Sequence, residues 1–133
     1  MSQENVEFVH RMVNRFNEQG IEAVGSEFLA ESVEFREPPE QPGAQVARGR
    51  EETVRFFARF DDAWQSHRSE PEEIRALDAE RVLLLSVERF RGRDGIEVAH
   101  PAGSIFTLQE GKVCRWQAFW NRESALEAGG LAE

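Results

Sequence analysis

VEFREPPEQPGAQVARGRE, residues 33–51, is the stretch on which the fold turns. It opens with strand-like alternation, Val33 and Phe35 against Glu34 and Arg36, and halts at Pro38 and Pro39, which lack the N–H that strand pairing needs. Past Gly49 the pattern becomes that of a helix start. A strand, predicted over 32–37, therefore lies between two helical regions and ahead of every other strand-like segment. Glu37 has the parity of Val33 and Phe35, so this strand directs a carboxylate toward the side taken by its apolar residues.

Upstream, residues 3–18 place Val6, Val9, Val13 and Phe16 at helical spacing, with Phe8 and Met12 beside them and Glu7, Arg11, Asn14 and Glu18 on the other face. Gly20 suits the end of that helix, and a short second helix carries Ile21, Val24, Phe28 and Leu29. Downstream, a third helix runs from Gly49 to about Gln65. Its apolar arc holds Val54, Phe56, Phe57, Phe60 and Trp64, opposite Arg55, Arg59 and Asp62. Beyond it the period changes. IRAL (74–77), RVLLLSVERF (81–90), EVAHPAGSIFTL (97–108) and KVCRWQAFW (112–120) read as four strands, with Asp94-Gly95 and Glu110-Gly111 marking tight antiparallel connections. RESALEA (122–128) reads as a closing helix with Asn121 as its N-cap. Helices grouped ahead of an antiparallel meander predict an α+β fold: one domain over 1–133, a curved, mostly antiparallel sheet wrapped around the N-terminal helices, and a cone-shaped pocket between them.

Bulk properties narrow the functions. Hydrophobic residues at 40% and charged residues at 31% give an ordinary globular balance that can bury a core. A net charge of -9, with arginines scattered among glutamates, argues against nucleic acid and anionic membrane as partners. No segment approaches the roughly 20 apolar residues of a membrane span, and the N-terminus lacks a secretory apolar core. One cysteine, Cys114, fits a reducing cytoplasm and reads as a small buried hydrophobe. His10, His67 and His100 lie far apart, with no CxxC or HExxH, so neither metal nor cofactor is expected.

RFNEQG at the end of the first helix, SVEFREPPE, RGREETVRFF, and FTLQEGKVCRWQAFW followed by RESALEAGG together resemble SnoaL-like proteins of the nuclear transport factor 2-like superfamily, which includes ketosteroid isomerase and limonene epoxide hydrolase. The resemblance covers nearly the whole chain. It implies a cone fold, a homodimer formed through the outer sheet face, and activities from isomerase, cyclase and dehydratase to binding alone. The isomerase base, an aspartate before a proline at the end of the first strand, matches Glu37-Pro38. The isomerase tyrosine would fall near Met12 in a chain without tyrosine, and the acidic oxyanion donor near Ser104. True ketosteroid isomerisation is therefore not expected.

The candidate catalytic residues are Glu37, His100 and Ser104. Glu37 either faces a desolvating pocket as a general base or turns to solvent at the rim. His100 shares parity with Ala102, Ser104 and Phe106 unless Pro101 and Gly103 bulge the strand, and it can pair with Glu37 or hold a backbone carbonyl. Asp61 is a second carboxylate candidate. Met12, Phe16, Phe35, Phe57, Phe60, Trp64, Trp116 and Trp120 are core or pocket wall for a small, largely apolar molecule. Arg48 and Arg50 either attract an anion to the helix start or pair with surface glutamates. The chain reads as a cofactor-independent isomerase, cyclase or dehydratase with a carboxylate base, or as a binding or scaffolding homodimer of the same fold.

Overall fold

A computed structural model describes residues 2–131. Helix α1 spans Ser2–Gln19 and α2 Ile21–Phe28, followed by β1 (Leu29–Arg36), β2 (Val46–Arg48) and α3 (Arg50–Asp62). The meander is β3 (Ser66–Ala76), β4 (Arg81–Arg91), β5 (Glu97–Gln109) and β6 (Lys112–Phe119), and α4 (Arg122–Ala128) closes the described chain. The six strands form one curved sheet in the order β2-β1-β6-β5-β4-β3. Every pairing is antiparallel except β1 with β6. The architecture is thus the expected α+β cone.

The amphipathic periodicity of α1 and α2 reflects one buried face on each, although Leu29, expected in α2, opens β1. Val9, Met12 and Val13 of α1 and Val24 and Phe28 of α2 are buried against Val33, Val82, Leu84, Phe106 and Val113 of the sheet. Gly20 turns the chain between the two helices at a φ of 85°, a left-handed conformation a side chain would strain, while its N–H caps the Phe16 carbonyl at 2.8 Å. At the far end, the Asn121 side chain accepts hydrogen bonds from the Glu123 and Ser124 N–H groups and starts α4, as its sequence suggests.

The outer face of the sheet has its own apolar cluster, Leu83, Leu85, Ile105 and Phe119, buried under Ala125 of α4. Hydrophobic residues on both faces of VLLLSV are therefore accounted for within one chain. Gly103 allows this close approach: a Cβ there would lie 2.7 Å from the Ala125 Cβ.

Two expectations need correction, and a third point left open by the sequence is decided. Helix α3 ends at Asp62 rather than near Gln65, so Trp64 lies in the following turn. The strand expected from IRAL begins eight residues earlier, at Ser66. Its first half, SHRSEPEE, is polar and contains Pro71, which is tolerable because β3 is an edge strand with a register shift between Pro71 and Glu73. Asn17 of α1 supplies what a further strand would have given: it donates to the Ser69 carbonyl at 2.8 Å and accepts from the Ser69 N–H at 2.9 Å. Finally, β5 runs through Pro101 and Gly103 without a bulge against β4, so its parity is continuous.

Candidate functional site

Between the helices and the concave sheet face lies a cavity of about 230 Å³. Alternation builds its sheet wall: β4 presents Leu84, Ser86, Glu88 and Phe90, every second residue, and β3 adds His67 and Ser69. Phenylalanines from α1 and α3 supply much of the opposite wall.

Glu37 lines this cavity next to the buried Pro38, one step past the end of β1, as the parity of Val33 and Phe35 requires. Its Oε1 accepts the Gln45 N–H at 2.9 Å, and its Oε2 lies 3.5 Å from the Gln41 Nε2. The loop between β1 and β2 thereby ties itself to the carboxylate while leaving lone pairs open to the cavity. Ser104 also lines it. Its Oγ accepts the Trp116 indole N–H at 3.1 Å, and the hydroxyl hydrogen has no acceptor among the described residues. Trp116 is stacked on Phe57, with ring centroids 4.8 Å apart, and Phe35 packs edge-on against both rings. Met12, Phe16, Phe60 and Trp120 complete the set of expected wall residues that reach the cavity.

Two expected residues stand elsewhere. His100 keeps the parity of Ala102 and Ser104 but lies beyond the cavity wall, where its Nε2 bonds the Trp120 carbonyl at 3.0 Å and its ring meets the indole edge-on. The structure does not bring it to Glu37. Trp64, displaced by the early end of α3, packs on Phe90 at 5.0 Å between centroids. Arg48 and Arg50 meet protein groups, the Glu34 carboxylate and the Leu29 carbonyl respectively.

The polar centre of the cavity was not anticipated. His67 lies between two carboxylates, with Nδ1 2.8 Å from Asp61 Oδ1 and Nε2 2.7 Å from Glu88 Oε1. Ser69 and Ser86 donate their hydroxyls to Glu88 Oε2 at 2.7 and 2.6 Å. Burial alone would lower the His67 pKa, but the hydrogen bonds and charges of Asp61 and Glu88 prevail and raise it to about 9. Burial likewise opposes the charged form of Glu88, yet His67 and the two serines hold its pKa below the ordinary value. At neutral pH the arrangement is an imidazolium between two carboxylates, enclosed by the rings of Phe16, Phe60 and Phe90. Only Asp61 was legible as a candidate. His67 and Ser69 lie in the polar half of β3 that reads as loop, although their two-residue spacing was available as a signal.

Burial also pushes the Cys114 thiol pKa up, away from a reactive thiolate. Among the described residues no group of three or more His, Cys, Asp or Glu side chains is arranged to hold a metal ion. No helix among them is long and apolar enough to cross a membrane.

Residues 9–116 match the model of the SnoaL-like domain, and the chain belongs to that family. No curated protein matches the sequence. Among solved structures, a candidate SnoaL-like polyketide cyclase from Jannaschia sp. CCS1 superposes with a TM-score of 0.75 at 18% identity, covering 89% of this chain and 85% of that one. TerC, co-crystallised with polyporic acid, gives 0.74 at 18% identity over 95% and 98%. A hypothetical protein with a ketosteroid isomerase-like fold from Catenulispora acidiphila, in complex with trimethylamine, gives 0.73 at 17% identity over 94% and 93%. At such identities the likeness is one of fold.

Proposed function

We propose that this protein is a cofactor-independent enzyme that moves a proton on a small, largely apolar, carbonyl-bearing molecule, in an isomerisation, cyclisation or dehydration. One observation supports this above the others: a carboxylate with open lone pairs, Glu37, and a hydroxyl with a free hydrogen, Ser104, open on the same aromatic-walled cavity. Glu37 takes a proton from the carbon next to the carbonyl, and the electron pair moves onto the carbonyl oxygen. Ser104 donates a hydrogen bond to that oxygen, and the indole N–H bonded to its Oγ polarises the donor. Protonated Glu37 then returns the proton to another carbon or to a departing hydroxide, or the enolate attacks a second carbonyl within the same molecule and the alkoxide so formed takes the Glu37 proton. Aromatic walls exclude water and bring a carboxylate and a carbon acid closer in basicity.

The test is hydrogen exchange. Cyclic and aryl ketones are incubated with the protein in D₂O, and loss of their α-proton signals is followed by NMR. Glu37→Gln is expected to abolish enzyme-dependent exchange, and Ser104→Ala to slow it about 100-fold, the effect of losing one oxyanion donor. Exchange unchanged in Glu37→Gln would overturn the assignment.

A second reading, a pocket that binds without chemistry, is favoured by one observation. The resemblance puts the isomerases' two oxyanion donors near Met12 and Ser104, and of these two only Ser104 offers a hydroxyl, one whose hydrogen is free. Ligand binding without exchange in the wild-type protein would select it. We also infer that two copies pair through the part of the outer sheet face that α4 leaves open. Light scattering should give twice the monomer mass, and a monomer at micromolar concentration would refute the pairing.

A further inference from the structure

The hydrogen-bonding inventory of the cavity is unbalanced. Both ring nitrogens of His67 are engaged by carboxylates, and both serine hydroxyls beside it are turned onto Glu88. The Trp116 and Trp120 indole N–H groups are taken by Ser104 and Gln41. That leaves the Ser104 hydroxyl and one N–H of Gln41 as side-chain donors free to meet a ligand. Free acceptors are more numerous: Glu37, Glu88 and the lone pairs of Ser69 and Ser86. No lysine or arginine lines the cavity.

Charge is unbalanced in the same direction. The single positive charge of His67 lies between Asp61 and Glu88, so this wall keeps one uncompensated negative charge, and Glu37 adds another across the cavity. Ser69 and Ser86, 7% and 2% exposed, point their hydrogens at the same Glu88 oxygen. Glu88 Oε2 is thereby filled, and the acceptor sites that remain at this place are the lone pairs of the two serine oxygens and the second lone pair of Glu88 Oε1, with no hydrogen left to give. Glu37 lies on the β1 side, three strand spacings from β4, about 14 Å along the sheet. The two polar regions are separate subsites.

We propose that the ligand of this cavity is an organic ammonium, a protonated primary amine on an apolar ring-bearing body, seated with its amine on Ser69, Ser86 and Glu88. An ammonium group brings three donors and no acceptor, the complement of what this wall presents. Charge-assisted hydrogen bonds gain strength in such a low-dielectric site. Aromatic walls suit both the body and a cation. A carboxylate or phosphate in the same place would face like charge and find no donor. The inference rests on the cavity being the ligand site, as above, and adds the chemical class that it selects. Proton transfer by Glu37 is independent of it.

Three probes of one shape decide the matter: 3-phenylpropylamine (an ammonium at pH 7), 3-phenylpropanol and 3-phenylpropanoate, titrated in an amine-free buffer by calorimetry. The ammonium is expected to bind about 10-fold or more tighter than the alcohol, as one charge-assisted hydrogen bond gives, with the carboxylate weakest. Glu88→Gln should erase that preference. Ser69→Ala, which leaves the His67 ion pairs in place, should weaken ammonium binding several-fold and leave alcohol binding unchanged. If the alcohol binds as tightly as the ammonium, or if the preference survives both variants, the ammonium class is wrong while the cavity stands as a ligand site. If none of the three binds, both readings fall.

Discussion

His67 is charged because two carboxylates reach it from opposite sides, and that charge ties the stability of the protein to pH. Its pKa is raised from an ordinary 6.5 to about 9, so its stabilising contribution is fully present below pH 6.5 and is lost as pH rises through 9. We expect wild-type stability to fall by about 2–3 kcal/mol between those limits, read from urea midpoints at pH 6.5, 8 and 9.5. His67→Gln should flatten that slope and lower stability throughout. Glu88 acts in the opposite sense: its depressed pKa gives stability present above the ordinary carboxylate range and lost as pH falls. At this scale the sequence was partly legible. Glu37 could be placed from parity alone because the strand is regular over Glu34–Arg36, just ahead of it, with Val33, Phe35 and Pro38 buried. His67 could not, because its significance lies in Asp61 and Glu88 meeting it, from 6 and 21 residues away.

Elements that bury one full face announced themselves; the three-residue β2 did not, nor did the first part of β3. Its inner half is held by β4 on one side and by the Asn17 side chain on the other, a tertiary substitute for a neighbouring strand. Asn17→Ala should leave the Ser69 N–H and carbonyl without that partner and cost about 2 kcal/mol, with faster amide exchange at Ser69 as its signature. A slope in exchange confined to other strands would contradict this role. The other sensitive junction is the outer face. Gly103→Ala places a methyl into Ala125 and should destabilise by about 1–3 kcal/mol through displacement of α4, measured by thermal or urea unfolding. Neither junction is visible in a propensity pattern, since both depend on which element lies over which strand.

For the whole molecule, a cone that keeps about 230 Å³ open gives up packing it could have had. Ala118, on β6 opposite Ser104, offers a direct way to fill it. Ala118→Leu should raise stability by about 1 kcal/mol and abolish binding of any cavity ligand, the trade expected when a site is held open for function. A variant that is stabilised and still binds would show that the ligand sits elsewhere. By itself the sequence determined the α+β class, the helices, the core strands and the inward turn of Glu37, because burial periodicity and proline chemistry are local and repeat within a few residues. Tertiary structure alone decided that Trp64 and His100 stand off the cavity and that polar β3 lines it. It also decided that the donors of His67, Ser69 and Ser86 face carboxylates rather than a ligand. Those outcomes depend on the curvature of the sheet and on groups converging from distant parts of the chain, and no local pattern of residues encodes either.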